Sequence, residues 1–259
     1  MTQRPKIVVV MPAYNAERTL ERTVHDLPEQ VVDEIILSDD CSSDRTVELA
    51  RQLGLTVVQH QRNQGYGANQ KTGYRLALSK GADIVVMLHP DYQYDPRVIP
   101  AAVSFLAHDI CDIIIGNRVR TRRETLSGGM PIYKYVSNRV LTILDNVVLG
   151  QNLGDFHSGF RVFKRTVLET LNYESNSDDF IFDIEMLAQA VHHGFKIGDV
   201  PIPTRYFAEA SSINFRRSLR YGIENLRVLI QVLLHRSGLM RFKLFEPKAG
   251  PSEAKSSSQ

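Results

Sequence analysis

The chain has 259 residues, 43% hydrophobic and 23% charged, with a net charge of +2, a composition that excludes a disordered chain and leaves room for a substantial core. Its two cysteines, Cys41 and Cys111, exclude a disulfide framework and a thiolate zinc site, and fit a reducing cytosol. No apolar run reaches the roughly 18 residues of a membrane span, and the first residues hold too short an apolar stretch for a signal peptide, so the chain is not expected to cross a membrane by itself.

Taken in order, β-branched runs at Ile7 to Met11, Glu34 to Leu37, Thr56 to Val58, Ile84 to Leu88 and Ile113 to Ile115 predict strands. Helical patterns near 17–27, 44–53, 67–80 and 97–107 separate them. This repeated strand-helix alternation predicts an α/β fold with a mainly parallel central sheet covered on both faces. Ligands of such sheets bind beyond the carboxyl ends of the strands, and there the polar residues collect. The first strand runs into Pro12, Ala13, Tyr14 and Asn15. The second runs into Ser38 to Thr46, where the Asp40 carboxylate can accept from ribose hydroxyls or a base edge and Asp44 caps the next helix. The third leads to Asn63 to Asn69, a glycine-bearing loop around Gly67 whose amides could face a phosphate or sugar; a tightly packed helix start fits the same residues. The fourth ends in His89, Pro90, Asp91, Tyr92 and Gln93. Because His89, Asp91 and Gln93 alternate, an extended segment aims all three to one side, where a hard divalent cation could collect them beside a diphosphate. A plain strand end turning through Pro90 and Asp95-Pro96 fits them too.

Beyond Gly116 the pattern changes. Arg118 to Arg123 holds four arginines in six residues, Ser127 to Pro131 reads as a mobile loop, and Tyr133 to Leu149 as an amphipathic helix. Asp178, Asp179, Asp183 and Glu185 are carboxylates available as a base toward a hydroxyl acceptor. Near the end, Leu219, Ile223, Leu226, Ile230 and Leu233 recur at spacings of 4, 3, 4 and 3, which predicts an amphipathic helix that lies on a bilayer or buries its stripe against protein. Residues 211–246 carry +5 and the rest −3. That asymmetry points to an anionic partner, a membrane surface or phosphates, and equally fits a solvated basic face. The tail from Pro247 is expected to be disordered.

The ordered set PAYN, SDDCSSDRT, NQGYGANQKTG and the polar cluster after the fourth strand resembles the family 2 glycosyltransferases of the GT-A fold. IIIGNRV, DFHSGFRVFKR, FIFDIEML and GDVPIPTRY are similar to the polyprenyl-phosphate branch that includes dolichyl-phosphate mannose synthase. The likeness covers roughly residues 6–222. It implies a single Rossmann-like GT-A domain over 1–222, with a nucleotide-sugar half to 116 and an acceptor half from 117, then a helical segment 223–246 and the tail 247–259. The activity implied is inverting transfer of mannose or glucose from GDP-mannose or UDP-glucose to a polyprenyl phosphate. The same donor chemistry on a soluble or glycan hydroxyl is the alternative, and a non-catalytic nucleotide-sugar-binding subunit a third reading. Carried over residue by residue, Pro12, Tyr14, Asn15, Glu17 and Asp40 hold the nucleotide, and Asp91 and Gln93 hold the cation. His89 stands where a first acid is expected, which points to manganese, a better match to histidine than magnesium, or to a site relying mostly on Asp91. Arg118 neutralises diphosphate or acceptor phosphate, and Ser158, Gly159 and Arg161 lie on the acceptor side, with Arg216 and Arg217 close enough to meet the acceptor. Asp91, Arg118 and Arg161 are thus the expected catalytic set. No nucleic acid is expected. A cytoplasmic protein, peripheral at the cytoplasmic membrane face or on a membrane subunit, fits this reading, and a homo-oligomer is compatible with it.

Overall fold

The computed structural model describes residues 4–119, 121, 123, 125, 130–205, 215–246 and 248, without the side chains of residues 215 and 216. Expectations placed on Arg120, Arg122, Ser127 to Gly129, the Arg216 side chain and nearly all of the tail lie outside the described residues. Seven strands among them form one sheet: β1 (Ile7–Ala13), β2 (Glu34–Asp39), β3 (Thr56–Gln59), β4 (Ile84–Met87), β5 (Ile113–Asn117), β6 (Arg161–Lys164) and β7 (Ile197–Pro201). Their order is β3-β2-β1-β4-β6-β5-β7, parallel throughout except β6, which runs antiparallel to both neighbours.

The continuous apolar run of β1 follows from burial on both faces. Val8 and Val10 join Ile36, Val85, Met87 and Phe163 in one core. Ile7, Val9 and Met11 join Leu37, Val86 and Leu88 in the other. Over the first core lie α3 (Tyr66–Ser79), α7 (Phe182–His192) and part of α8 (Phe215–Arg236); over the second lies α4 (Ile99–Ala107). Helix α3 packs so closely on the sheet that a Cβ at Gly73 would stand 2.3 Å from Val10 Cγ1. The shorter helices α1 (Leu20–His25) and α2 (Thr46–Gln52) follow β1 and β2, and α6 (Arg165–Thr170) follows β6.

The reversed strand matters most for function. Because β6 runs the other way, it presents its beginning, not its end, at the carboxyl edge of its neighbours, and so delivers residues 155–160 to the edge where β1, β2, β4 and β5 deliver their loops. The long helix α5 (Ile132–Leu149) ends in Gly150 at φ 71°, and packs side by side with α8.

Helix α8 corrects one expectation and removes one alternative of another, burial of the stripe against this chain. It is continuous from Phe215 to Arg236, so the boundary set between 222 and 223 falls inside it. Its buried residues are Asn225, Val228, Leu229 and Val232, while the expected stripe of Leu219, Ile223, Leu226, Ile230 and Leu233 faces outward. Both sides of this helix carry aliphatic residues, and the core takes the side the spacing argument passed over.

Candidate active site

At the carboxyl edge of β1 and β2 two loops lock together. Asn15, at φ 53°, accepts from the Ser43 amide at 2.9 Å and donates its own amide to Ser42 Oγ at 2.8 Å. Glu17 accepts from the Arg45 amide at 2.8 Å, and its own amide donates to Asp44 at 3.1 Å. Asn15 and Glu17 border a depression with Ser43 and Asp44; Tyr14 is 57% exposed beside them, and Pro12 is buried in β1.

Asp40 does not offer a carboxylate to a ligand. It is buried, and it accepts from the Gln64 and Gly65 amides at 2.8 and 2.9 Å while His60 Nδ1 stands 2.8 Å away. Those three contacts tie the β2 loop to the start of α3. Nor does Gly67 present its amide to a phosphate: that N–H donates to the Asp178 carbonyl at 2.7 Å, and a Cβ there would lie 2.4 Å from the Ser177 carbonyl oxygen. The glycine is required because two backbones meet.

A cavity of about 240 Å³ opens between the β4, β5 and β6 loops and the first turns of α5 and α8. His89, Asp91 and Gln93 all line it, as the alternation implied. What aims them is Tyr92, at φ 57°, which turns the other way: its hydroxyl donates to Asp26 at 2.6 Å, and its ring lies 4.4 and 4.3 Å from the Arg22 and Arg205 guanidinium carbons. The Asp91 carboxylate accepts from the Gln93 amide at 3.0 Å, closing a short turn.

His89 is committed elsewhere than the sequence implied. Its Nε2 lies 3.0 Å from the Tyr66 hydroxyl, which donates to Asp183 at 2.9 Å. Burial and the Asp183 charge push the Tyr66 pKa up, so the phenol keeps its single proton. With the phenol O–H directed at Asp183, its oxygen accepts from His89 Nε2–H, and in that tautomer Nε2 is no cation ligand. Asp183 also accepts from Gln70 at 3.2 Å.

Two cations line the same cavity. Arg118 grips Asp155 with two hydrogen bonds, 2.6 and 3.1 Å, and Asn138 donates to the same carboxylate at 2.9 Å. Burial opposes the charge on Asp155, but the Arg118 guanidinium and its hydrogen bonds outweigh it and hold the carboxyl well below the usual range. Lys134, in the first turn of α5, also lines the cavity; burial and the Arg118 charge lower its pKa. Sequence reasoning missed Lys134, since one lysine among polar residues of an amphipathic helix carries no signal of its own.

Arg161 and Ser158 are corrections. Arg161 is fully buried, and its guanidinium donates to the carbonyls of Ser158, Asp183 and Phe156 at 3.2, 3.1 and 3.0 Å, with the Asp183 carboxylate 3.6 Å away. It braces the loop before β6 from behind and reaches no acceptor. Ser158 is equally buried, its Oγ accepting from the Phe160 amide. Gly159 does line the cavity, wedged so tightly that a Cβ would stand 2.5 Å from His89 Nε2. Arg217 is exposed on α8 and does not line the cavity; its neighbour Ser218 and Tyr221 do.

Among the described residues no three His, Cys, Asp or Glu side chains meet as a cation cage. Asp91 and Gln93 nevertheless offer a carboxylate and an amide oxygen on one cavity wall, a donor set that suits a hard cation whose remaining ligands come from a diphosphate and water.

A family model described as glycosyl transferase family 2 matches residues 8–171. A UDP-N-acetylglucosamine–dolichyl-phosphate N-acetylglucosaminyltransferase of Methanococcus voltae is 28% identical over 77% of this chain and 86% of its own length. The polyprenol monophosphomannose synthase of Mycolicibacterium smegmatis is 27% identical over 78% of each. Glucosyl-3-phosphoglycerate synthase of Mycobacterium tuberculosis, solved with Mn2+, UDP and glucosyl-3-phosphoglycerate, superposes with a TM-score of 0.67 at 22% identity, covering 92% of this chain and 82% of that one. This last likeness carries the fold, the GT-A fold expected from the motifs.

Proposed function

The chain belongs to glycosyl transferase family 2 and is a glycosyltransferase, and from that footing we propose that it moves a hexose, with inversion, from a nucleoside-diphosphate sugar to the phosphate of a polyprenyl phosphate. The relatives that act on dolichyl and polyprenol phosphates support this acceptor. The observation that carries it is the cavity's chemistry: two cations, Arg118 and Lys134, and, among the described residues, no uncommitted base.

Of the four carboxylates weighed as bases, only Asp183 lines the cavity, and Tyr66 and Gln70 hold both its oxygens. Asp178 pairs with Lys71 at 2.7 Å, Asp179 accepts from the Phe180 amide, and Glu185 accepts from the Ser177 amide. His157 lines the cavity, but burial pushes its pKa down to about 4, and its Nδ1 is 2.8 Å from the Tyr221 hydroxyl. A hydroxyl acceptor needs a positioned base with a pKa near the working pH. A phosphate arrives already charged, and Arg118 with Lys134 attracts it.

In this reading an acceptor phosphate oxygen attacks the anomeric carbon from the side opposite the leaving group. The bond from that carbon to the diphosphate breaks, and its electron pair stays on the diphosphate oxygen. A divalent cation, manganese or magnesium, held by Asp91 and Gln93 would supply neutralisation of that charge. Tyr66 and Asp183 anchor His89 beside it, and the interlocked loops around Asn15, Glu17 and Tyr14 border the nucleotide. GDP-mannose and UDP-glucose are the donors this reading favours. A cytoplasmic enzyme working at the membrane surface is the location it implies.

The test is a matched acceptor pair, one isoprenoid chain ending in phosphate and the same chain ending in hydroxyl. Transfer to the phosphate alone is expected. Transfer to the alcohol at an equal rate would promote the hydroxyl-acceptor reading.

A further inference from the structure

Helices α5 and α8 share an outward face that nothing in the fold requires. On α5 it consists of Ile132, Val136, Val140, Ile143 and Val147, and on α8 of Leu219, Ile223, Leu226, Ile230 and Leu233. Each of these ten side chains is between 43 and 75% exposed. Soluble monomers scatter such residues singly, and a contiguous aliphatic surface marks a contact.

The two helices run in the same direction. Leu141 Cδ1 lies 4.0 Å from where a Cβ on Gly222 would stand, Asn225 donates to Asp145 at 2.9 Å, and Arg236 donates to the Val148 carbonyl at 2.7 Å. Their N-terminal turns, carrying Tyr133, Lys134, Ser218 and Tyr221, line the cavity. The aliphatic face therefore begins at the cavity. Arg220 and Arg227 directly follow Leu219 and Leu226, which sets them about 100° round the helix from the stripe; both are exposed, and Arg220 also bonds Glu224 at 2.8 Å.

We propose that this paired-helix face seats in the interface of an anionic bilayer, so that the cavity opens toward the lipid plane. The inference rests on the polyprenyl-phosphate reading and adds the surface by which that acceptor is met. Three features favour lipid over a protein partner. The exposed side chains are aliphatic apart from Tyr133 at the cavity end, so the face has few of the aromatic and polar anchors that make protein interfaces specific. The flanking arginines suit anionic headgroups, their stems along the apolar surface and their charges at the rim. And the face is continuous with the cavity, where a lipid phosphate must arrive. Among the described residues no helix is long and apolar enough to cross a membrane, so the contact is peripheral through the two amphipathic helices.

The experiment is flotation of the full chain with vesicles of phosphatidylcholine alone and with phosphatidylglycerol added. Alongside it run sedimentation without vesicles and transfer to a short-chain, water-dispersed polyprenyl phosphate. Wild type is expected to float with the anionic vesicles and to be partly released by salt. Val140→Asp on α5 and Ile223→Asp on α8 should each weaken flotation at least about tenfold, while both proteins still glycosylate the short-chain acceptor. Ile110→Asp, at a residue 57% exposed beyond α4, should float as wild type does. Wild type that stays with the buffer yet glycosylates the short-chain acceptor would overturn the surface and leave the acceptor reading intact. Flotation with no transfer to the short-chain polyprenyl phosphate would do the reverse. A wild-type dimer that Val140→Asp dissociates in the absence of vesicles would assign the face to a second copy and also overturn the proposal.

Discussion

Arg118 and Arg161 stand at the same edge of the sheet and differ in everything that decides a role. Arg118 lines the cavity and is aimed by a buried carboxylate; Arg161 is sealed beneath the site, its donors spent on three carbonyls. Arg161→Met is expected to leave those carbonyls and Asp183 uncompensated and to cost about 3 to 5 kcal/mol in stability, the range for breaking a buried pair. Urea unfolding measures this, and the folded fraction should keep its acceptor KM; a raised KM at unchanged stability would return Arg161 to the acceptor. Asp91→Ala should behave oppositely. It gives up one hydrogen bond to the Gln93 amide, worth about 1 kcal/mol, but removes the only carboxylate ligand proposed for the cation and with it several kcal/mol of transition-state stabilisation. A folded protein with unchanged turnover would take Asp91 out of the site. His89→Gln should retain manganese binding in the presence of nucleoside diphosphate, read by paramagnetic resonance, because Nε2 serves Tyr66; loss of the bound-manganese signal would make His89 a ligand.

At the level of elements, the contact between α5 and α8 is polar where a helix pair is usually apolar. Asn138, Thr142 and Asp145 form the buried stripe of α5 at spacings of 4 and 3, facing His157 and Asn225. Burial raises the Asp145 pKa to about 7 despite the Asn225 hydrogen bond, and burial lowers that of His157. A carboxyl raised above its unfolded value contributes stability that is complete below that value, near pH 4, and lost as pH rises toward 7. Each pH unit in that window is worth about 1.4 kcal/mol. Asp145→Asn should therefore flatten the fall in stability between pH 5 and 8 by about 2 to 3 kcal/mol, measured by unfolding at each pH; equal slopes for the two proteins would mean that Asp145 does not titrate there. The same helices show why sequence reading stops where it does. The strands β1, β2, β4 and β5 were legible because burial on both faces writes an unbroken β-branched run. Helix α8 was legible as a helix, but apolar residues on both sides left its inward face undetermined. Strand β6 was not legible: it is four residues long, begins with a buried arginine, and only its pairing with β4 and β5 reveals that it runs backwards.

For the whole molecule, the reversed β6 brings the acceptor-side loop to the edge where the parallel strands place Asp91, Gln93 and Arg118. The cluster after β4 could be read from its alternation, and the structure adds that Tyr92 enforces it. Asp40, Gly67, Ser158 and Arg161 have the right residue types at the right edge, but whether such a group faces a ligand or the protein's own backbone is decided by the folded loop, through distant partners such as Gln64 for Asp40 and Asp178 for Gly67, and through near ones such as Phe160 for Ser158 and Phe156 for Arg161. The most direct test of the central claim follows the product. The protein is incubated with divalent cation, a nucleotide sugar labelled in the sugar and a polyprenyl phosphate labelled in its phosphorus, and the lipid is extracted into organic solvent. Both labels are expected in one extracted species at equal amounts, from GDP-mannose or UDP-glucose, and absent when Asp91 is replaced by alanine. Sugar label found only in water-soluble product, or on a lipid without the phosphorus label, would contradict transfer to polyprenyl phosphate.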